Sequence, residues 1–218
     1  MTHRYAVVLT HNRPELLTRC VDAIAPQVDE VVVVDNASDP PVEATWTAIN
    51  VDVVRDPTQP PNLGRMWNEQ LDRIAELDVD SSTWDVALIC DDVVVPDGWF
   101  GRVTEAMRST NAAAASAHSY QEIHAPYVLT ELSNGVDRMC PWAFILRGEA
   151  GLRADESMHW WYVDTDLDWQ ARLNGGTLVA PGPIAANERI GEWTNVKPEL
   201  GERAGIDGQV FERKWGRA

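Results

Sequence analysis

Lysine is almost absent from this chain. Only Lys197 and Lys214 occur in 218 residues, and arginine carries the rest of the positive charge. Acidic side chains outnumber basic ones 34 to 18, for a net charge of −16. Sequence-independent binding to DNA or RNA rests on cations that neutralise phosphates, so this balance argues against free nucleic-acid binding. The same charge repels polyphosphates at long range. A small phosphate ligand stays possible where a metal ion screens it. Cysteine is scarce too: Cys20, Cys90 and Cys140 are odd in number, widely spaced and set in apolar contexts. They predict reduced core thiols and exclude a disulfide framework or a zinc site. No apolar run approaches the ~20 residues that span a bilayer. The opening MTHRYAVVLTHNRPE lacks the long apolar region and small-residue cleavage site of a secretory signal. The expectation is a cytoplasmic protein with no membrane span. Two glycine motifs are also missing. No GxGxxG follows the first apolar run, and no GxxxxGK[ST] occurs, so neither a dinucleotide fold nor a P-loop is supported.

What is present reads as one globular chain. Apolar residues make up 44%, enough for a sizeable core in a domain of this length. YAVVLT (5–10) and EVVVV (30–34) are short, continuous apolar runs of the kind buried in a parallel sheet. VDVVRD (51–56) is a shorter strand candidate, and WDVALIC (84–90) is the next. Between them, Leu16, Leu17, Cys20, Val21 and Ile24 share a helical face, as do Leu63, Met66, Trp67, Leu71, Ile74 and Leu77. Asn12 and Pro14 suit the start of the first helix. Residues 98–108 read as a helix and 112–117 as a strand. Strands alternating with helices imply a mainly parallel sheet with helices on both faces. Their polar turns gather at the carboxyl edge, where open α/β folds bind ligands. Residues 1–117 form this half. In residues 118–218, RMCPWAFILR (138–147) reads as a strand, 164–174 as a helix stopped by Gly175-Gly176, and 177–180 as a short strand. Little is assigned beyond Pro181.

The carboxyl edge offers Thr10, His11, Asn12 and Arg13, then Asp35, Asn36 and Ser38, then the adjacent pair Asp91-Asp92. Asp35 and Asn36 either cap a turn or accept hydrogen bonds from a nucleoside. Asp91 and Asp92 either face water or hold a divalent cation. Hard oxygen donors suit Mg2+ or Mn2+, which one or two carboxylates and substrate phosphates commonly hold.

These segments resemble the inverting GT-A glycosyltransferases of family 2, in particular their small rhamnosyltransferase-like members. AVVLTHNRPELLTRCVDAI is similar to the family's opening strand and helix, VVVVDNASD to its nucleotide-binding turn, and NLGRMWN to its N-x-G-x-x-x-N helix start. ICDDVVVP resembles the acidic metal motif and PWAFILRGE the strand behind the acceptor site. LRADESMHWWYVDTDLDWQARLNGG resembles the segment that carries the catalytic Asp. Their order along residues 5–185 carries the resemblance. It implies an α/β GT-A single domain: a nucleotide-binding half (1–117), then a smaller acceptor and catalytic half with the tail (118–218). The implied activity is transfer of a sugar from a nucleotide-diphosphate sugar to an acceptor hydroxyl, with inversion and with Mn2+ or Mg2+.

The resemblance implies nucleotide contacts from Thr10, Asn12, Arg13, Asp35, Asn62, Arg65 and Asp91, with Asp92 on the metal. In the family the catalytic Asp lies six residues before an Arg, so the resemblance implies Asp166, six before Arg172, as general base, while a slip of two would make it Asp164. Asp168 would orient Arg172. Trp142, Trp161 and His159 fall on the acceptor side, where aromatic faces suit sugar rings. The other tryptophans read mainly as core, and His118 and His124 show no metal-ligand spacing. The family's Glu before the base is Thr165 here. Its late metal-side His is replaced in AANERIGEW by Asn187 or Glu188. Two alternatives stay open: a GT-A-like nucleotide- or glycan-binding module that has lost catalysis, and a sugar nucleotidyltransferase. The second usually has a glycine-rich basic loop after the first strand, where THNRPE stands. The acceptor could be a glycan, a protein or a small molecule.

Overall fold

Alternation inside each apolar run determines how the sheet is covered. Ala6, Val8, Val31 and Val33 point to one face, and Tyr5, Val7, Val32 and Val34 to the other, all buried. A strand buried on both sides needs helices on both sides, and the computed structural model has them. It describes residues 2–46, 50–77, 83–117, 125–132, 139–180, 186–187 and 198–216. His118, His124 and Glu188 lie outside the described residues.

The chain begins with β1 (His3–Thr10), α1 (Pro14–Ile24), β2 (Glu30–Asp35), β3 (Val51–Arg55) and α2 (Leu63–Leu77). Next come β4 (Trp84–Cys90), β5 (Val93–Val94), α3 (Trp99–Thr110), β6 (Ala114–Ala117), β7 (Tyr127–Leu129) and β8 (Ala143–Arg147). It ends with α4 (Val163–Leu173), β9 (Thr177–Ala180), β10 (Ala186–Asn187) and α5 (Pro198–Trp215). Eight of the strands form one sheet in the order β3-β2-β1-β4-β8-β6-β9-β7. The first four run parallel. β8 is antiparallel to both β4 and β6, β9 is parallel to β6, and β7 is antiparallel to β9. The parallel character therefore belongs to the first half, and the second half is mixed.

One side of the sheet packs on Leu17, Cys20, Val21 and Ile24 of α1 and on Trp99, Phe100, Val103 and Met107 of α3. The other side packs on Met66, Trp67, Leu71 and Ile74 of α2, Leu167 and Trp169 of α4 and Phe211 of α5. Each such fully buried large apolar side chain contributes about 1.5–3 kcal/mol.

The register positions the site. Thr10 pairs with Asp35, and Leu9 with Cys90, so the ends of β1, β2 and β4 are level. β8 starts at Ala143 rather than at 138, because Pro141-Trp142 form a turn. That turn abuts the edge: the Cys90 amide donates to the Trp142 carbonyl at 2.9 Å. β10 lies antiparallel to β5 with Asn187 opposite Val93, one residue past the acidic pair. The helix α5 was not expected. Gly201, Gly205 and Gly208 obscure it, since each glycine costs about 1 kcal/mol of helix propensity. Among the described residues no helix is long and apolar enough to cross a membrane.

Candidate active site

Two turns are tied together at the carboxyl edge. Asn12 takes a left-handed φ of 55°, its amide donates to Ser38 Oγ at 2.9 Å, and its Oδ1 accepts from the Asp39 amide at 2.7 Å. His11 Nδ1 lies 2.7 Å from the Asn36 carbonyl, so the ring carries a proton there. Asp35 organises the second turn. Its carboxylate accepts from the Ser38 amide at 2.9 Å, the Val42 amide at 3.2 Å and Arg55 at 2.7 Å. Burial alone would raise its pKa. The hydrogen bonds from Ser38 and Val42 and the charge of Arg55 outweigh burial and hold it below the ordinary 3.8. With 1% exposure and these donors, Asp35 is a turn organiser rather than an open nucleotide contact. Its neighbour Asn36 is different, because Asn36 Oδ1 is buried with no hydrogen-bond partner among the described residues.

Asp91 and Asp92 are both buried. Thr10 Oγ1 donates to Asp91 Oδ2 at 2.8 Å and Arg13 Nη1 to Asp91 Oδ1 at 2.9 Å. The same guanidinium lies 3.6 Å from Asp92 Oδ2. Arg13 therefore offsets part of the repulsion between two neighbouring carboxylates. Asp92 Oδ1 is buried and has no hydrogen-bond partner among the described residues. Among the described residues no three His, Cys, Asp or Glu side chains converge as a metal site. A hard divalent ion that takes most of its ligands from substrate phosphate and water needs only one or two carboxylates. Asp92 fits that need, and a buried acceptor without a donor is the observation that supports it. None of the three cysteines is in a disulfide. Burial, with the charges of Asp91 and Asp92 adding to it, pushes the thiols of Cys20 and Cys90 far up, so they act as inert packing groups.

Helix α2 connects this edge to the second half of the chain. Asn62 Oδ1 caps the helix at the Arg65 amide (3.0 Å), and Asn62 Nδ2 donates to the Glu156 carbonyl at 2.8 Å. Asn68 bonds both the carbonyl and the amide of Ala154, each at 2.9 Å. Arg65 is paired with Asp56 and Glu69. Asn62 and Arg65 are thus committed to holding α2, its entry loop and residues 154–156 together.

The expected base lies elsewhere. Asp166 is fully buried, and Lys214 (2.7 Å), Trp215 Nε1 (2.9 Å), Gln170 (2.8 Å) and the Asp155 amide (3.1 Å) surround its carboxylate. No acceptor hydroxyl reaches it unless α5 leaves, which corrects the assignment drawn from its spacing to Arg172. Asp168 does pair with Arg172, at 2.7 Å and fully buried. Asp164 also sits in the first turn of α4 and is half-buried. It follows Tyr162, which has a left-handed φ of 64°. Trp160 and Trp161 are partly exposed on the preceding loop. His159, on the same loop, has its pKa lowered by burial and then by Arg203. Trp142 packs against the core beside the end of β4.

Residues 6–154 match the model of the MobA-like NTP transferase domain. The chain belongs to that family. No curated protein shows significant similarity to this MobA-like domain. Among solved structures it is similar to S. aureus TarS 1–349, with a TM-score of 0.62 and 17% identity over 84% of this chain. It spans 59% of that TarS chain. TarS 1–349 in complex with UDP-GlcNAc gives a TM-score of 0.62 and 14% identity over 99% of this chain and 73% of that one. The complex with UDP gives 0.61 and 15% over 97% and 66%. At these identities the likeness establishes a shared fold: a mixed α/β domain of GT-A-like type, its central sheet flanked by helices.

In this MobA-like domain the level ends of β1, β2 and β4 bring together Thr10, Arg13, Asn36, Asp91 and Asp92. A guanidinium and an open carboxylate oxygen side by side suit a phosphate held partly by protein and partly by a cation.

Proposed function

We propose that this domain transfers a sugar from a nucleotide-diphosphate sugar to an acceptor hydroxyl, with inversion at the anomeric carbon. The observation that carries the reading is Asp92 Oδ1, a buried carboxylate oxygen with no partner among the described residues, on a side chain beside Arg13 at the sheet edge. Asn36 supplies an open acceptor for the base of the donor. Residues 1–117 take the nucleotide, and residues 118–218 supply the acceptor side with Trp142, His159 and Trp161. The TarS complexes carry UDP and UDP-GlcNAc, which supports a nucleotide-sugar donor on this fold. Membership of family 2 and a rhamnosyl-type donor are proposed from the sequence resemblance alone.

Asp164 is the proposed general base in place of Asp166. It takes the proton from the acceptor hydroxyl as that oxygen bonds to the anomeric carbon. The bond from that carbon to the diphosphate oxygen breaks, and the nucleoside diphosphate leaves. The first turn of α4 favours the ionised form of Asp164 through the helix dipole. Asp92, with Asp91 close by, would hold Mn2+ or Mg2+, which supplies charge neutralisation for the leaving diphosphate when bound. Arg13 contributes a fixed positive charge to the same place.

The family match favours a second reading, nucleotidyl transfer. There a sugar phosphate attacks the α-phosphorus of a nucleoside triphosphate and pyrophosphate leaves. THNRPE, with no glycine and one arginine, supports the first reading over this one. The two differ in product. The enzyme given nucleotide sugars and hydroxyl acceptors is expected to release nucleoside diphosphate. Pyrophosphate released from a nucleoside triphosphate and a sugar phosphate, without diphosphate release from any nucleotide sugar, would establish the second reading.

A further inference from the structure

Asp207 is fully buried on α5, and the proposed chemistry does not use it. Its carboxylate accepts from three consecutive backbone amides: His159 at 3.1 Å, Trp160 at 3.0 Å and Trp161 at 2.9 Å. Arg203, one turn earlier on α5, pairs with it at 2.7 Å and also donates to the Ser157 carbonyl at 2.9 Å. The far side of the same loop is attached to α2. The Leu63 amide donates to the His159 carbonyl at 2.7 Å, and Asn62 holds Glu156. Farther along, Phe211 stacks on Tyr162 with ring centroids 5.1 Å apart. Gly208 lies against the same ring, leaving 3.3 Å between it and an added Cβ. Tyr162 is the left-handed residue before α4, a conformation that persists only where its surroundings hold it. Thus α5 fixes the loop before Asp164 at Ser157, at 159–161 and at Tyr162, while α2 ties it to the nucleotide half.

We propose that Asp207 is a positioning residue for the acceptor. Its three amide contacts hold the 157–162 loop so that Trp160, Trp161 and Asp164 meet an acceptor in one fixed arrangement. The inference rests on the reading of Asp164 and this loop as the acceptor side. A buried charged group bonded to successive amides rigidifies a loop in a way one neutral contact does not. Glycosyl transfer needs the acceptor oxygen within reach of both the base and the anomeric carbon, so loop order enters the rate through geometry.

The test compares wild type with Asp207→Asn, which keeps the shape and removes the charge. Nucleotide-sugar turnover by wild type is measured first; its absence would sink the proposed function rather than this inference alone. Given turnover, Asp207→Asn is expected to raise acceptor KM or lower kcat/KM for the acceptor by about ten- to a hundredfold. Nucleoside diphosphate Kd should stay within about twofold. Amide exchange at 159–161 should speed up by about tenfold or more while β1 and β4 amides keep their protection. An unchanged acceptor kcat/KM with faster exchange at 159–161 overturns the proposal. So does a loss of nucleotide affinity in step with the acceptor defect, which marks a merely structural role. If Asp207→Asn does not fold, Arg203→Gln, at a partly exposed side chain, replaces it. The same split between acceptor and nucleotide is expected there, and its absence again overturns the proposal.

Discussion

Buried carboxylates in this chain do two kinds of work, and the donors around them distinguish the two. Asp35 and Asp166 are saturated by neighbours and hold structure together, whereas one buried oxygen of Asp92 has no partner among the described residues. Asp35→Asn is therefore expected to cost about 1–3 kcal/mol in urea titrations at pH 7, from the lost charged hydrogen bonds. Its folded pKa lies below the ordinary 3.8, so its contribution is present above about that pH and fades as pH falls through the lower folded value. Wild type should then lose more stability than Asp35→Asn on acidification below pH 3.8, and parallel curves would contradict this. At the next carboxylates, Asp164→Asn should abolish the proposed turnover and leave nucleoside diphosphate binding near wild type. Asp166→Asn should instead destabilise by about 2–4 kcal/mol, because it leaves part of a buried ionic network uncompensated. The acidic residues of DTDLD were legible as a set from spacing. Which one is sealed under α5 was not, because that depends on Lys214 and Trp215, some fifty positions away.

Elements with a single strong signal were legible in the sequence. β1, β2 and β4 are continuous apolar runs because both faces are covered, and α1 and α2 carry a regular apolar stripe. β8 begins later than the apolar pattern suggests, since the pattern is blind to the Pro141-Trp142 turn. α5 was hidden by its glycines and by an apolar face reduced mainly to Phe211, Val210 and Trp215. Its importance appears only in packing. Phe211 is 1% exposed and contacts Tyr162, Trp169 and Trp215. Phe211→Ala should cost about 3–5 kcal/mol in chemical denaturation. A near-neutral value would mean that α5 is peripheral to the fold.

At the level of the whole molecule, the proposed function requires a chain with an excess of 16 negative charges to accommodate an anionic donor. The chain places Arg13 against Asp91 and Asp92, and one oxygen of Asp92 has no partner among the described residues. Removing the cation with Arg13→Ala is expected to weaken nucleoside diphosphate binding by about tenfold or more, since a charge-assisted contact is worth about 1.5–3 kcal/mol. Sequence order sufficed to locate this edge, because parallel strands deliver their following turns to the same side. The acidic edge by itself does not distinguish sugar transfer from nucleotidyl transfer, and only the THNRPE turn favours the first. The deciding measurement is calorimetric binding of UDP, GDP, dTDP and CDP, with and without Mn2+, to wild type and Asp92→Ala. One diphosphate is expected to bind wild type, to bind more tightly with the ion, and to lose that dependence in Asp92→Ala. Binding of no diphosphate under any condition, or metal dependence untouched by Asp92→Ala, would contradict this.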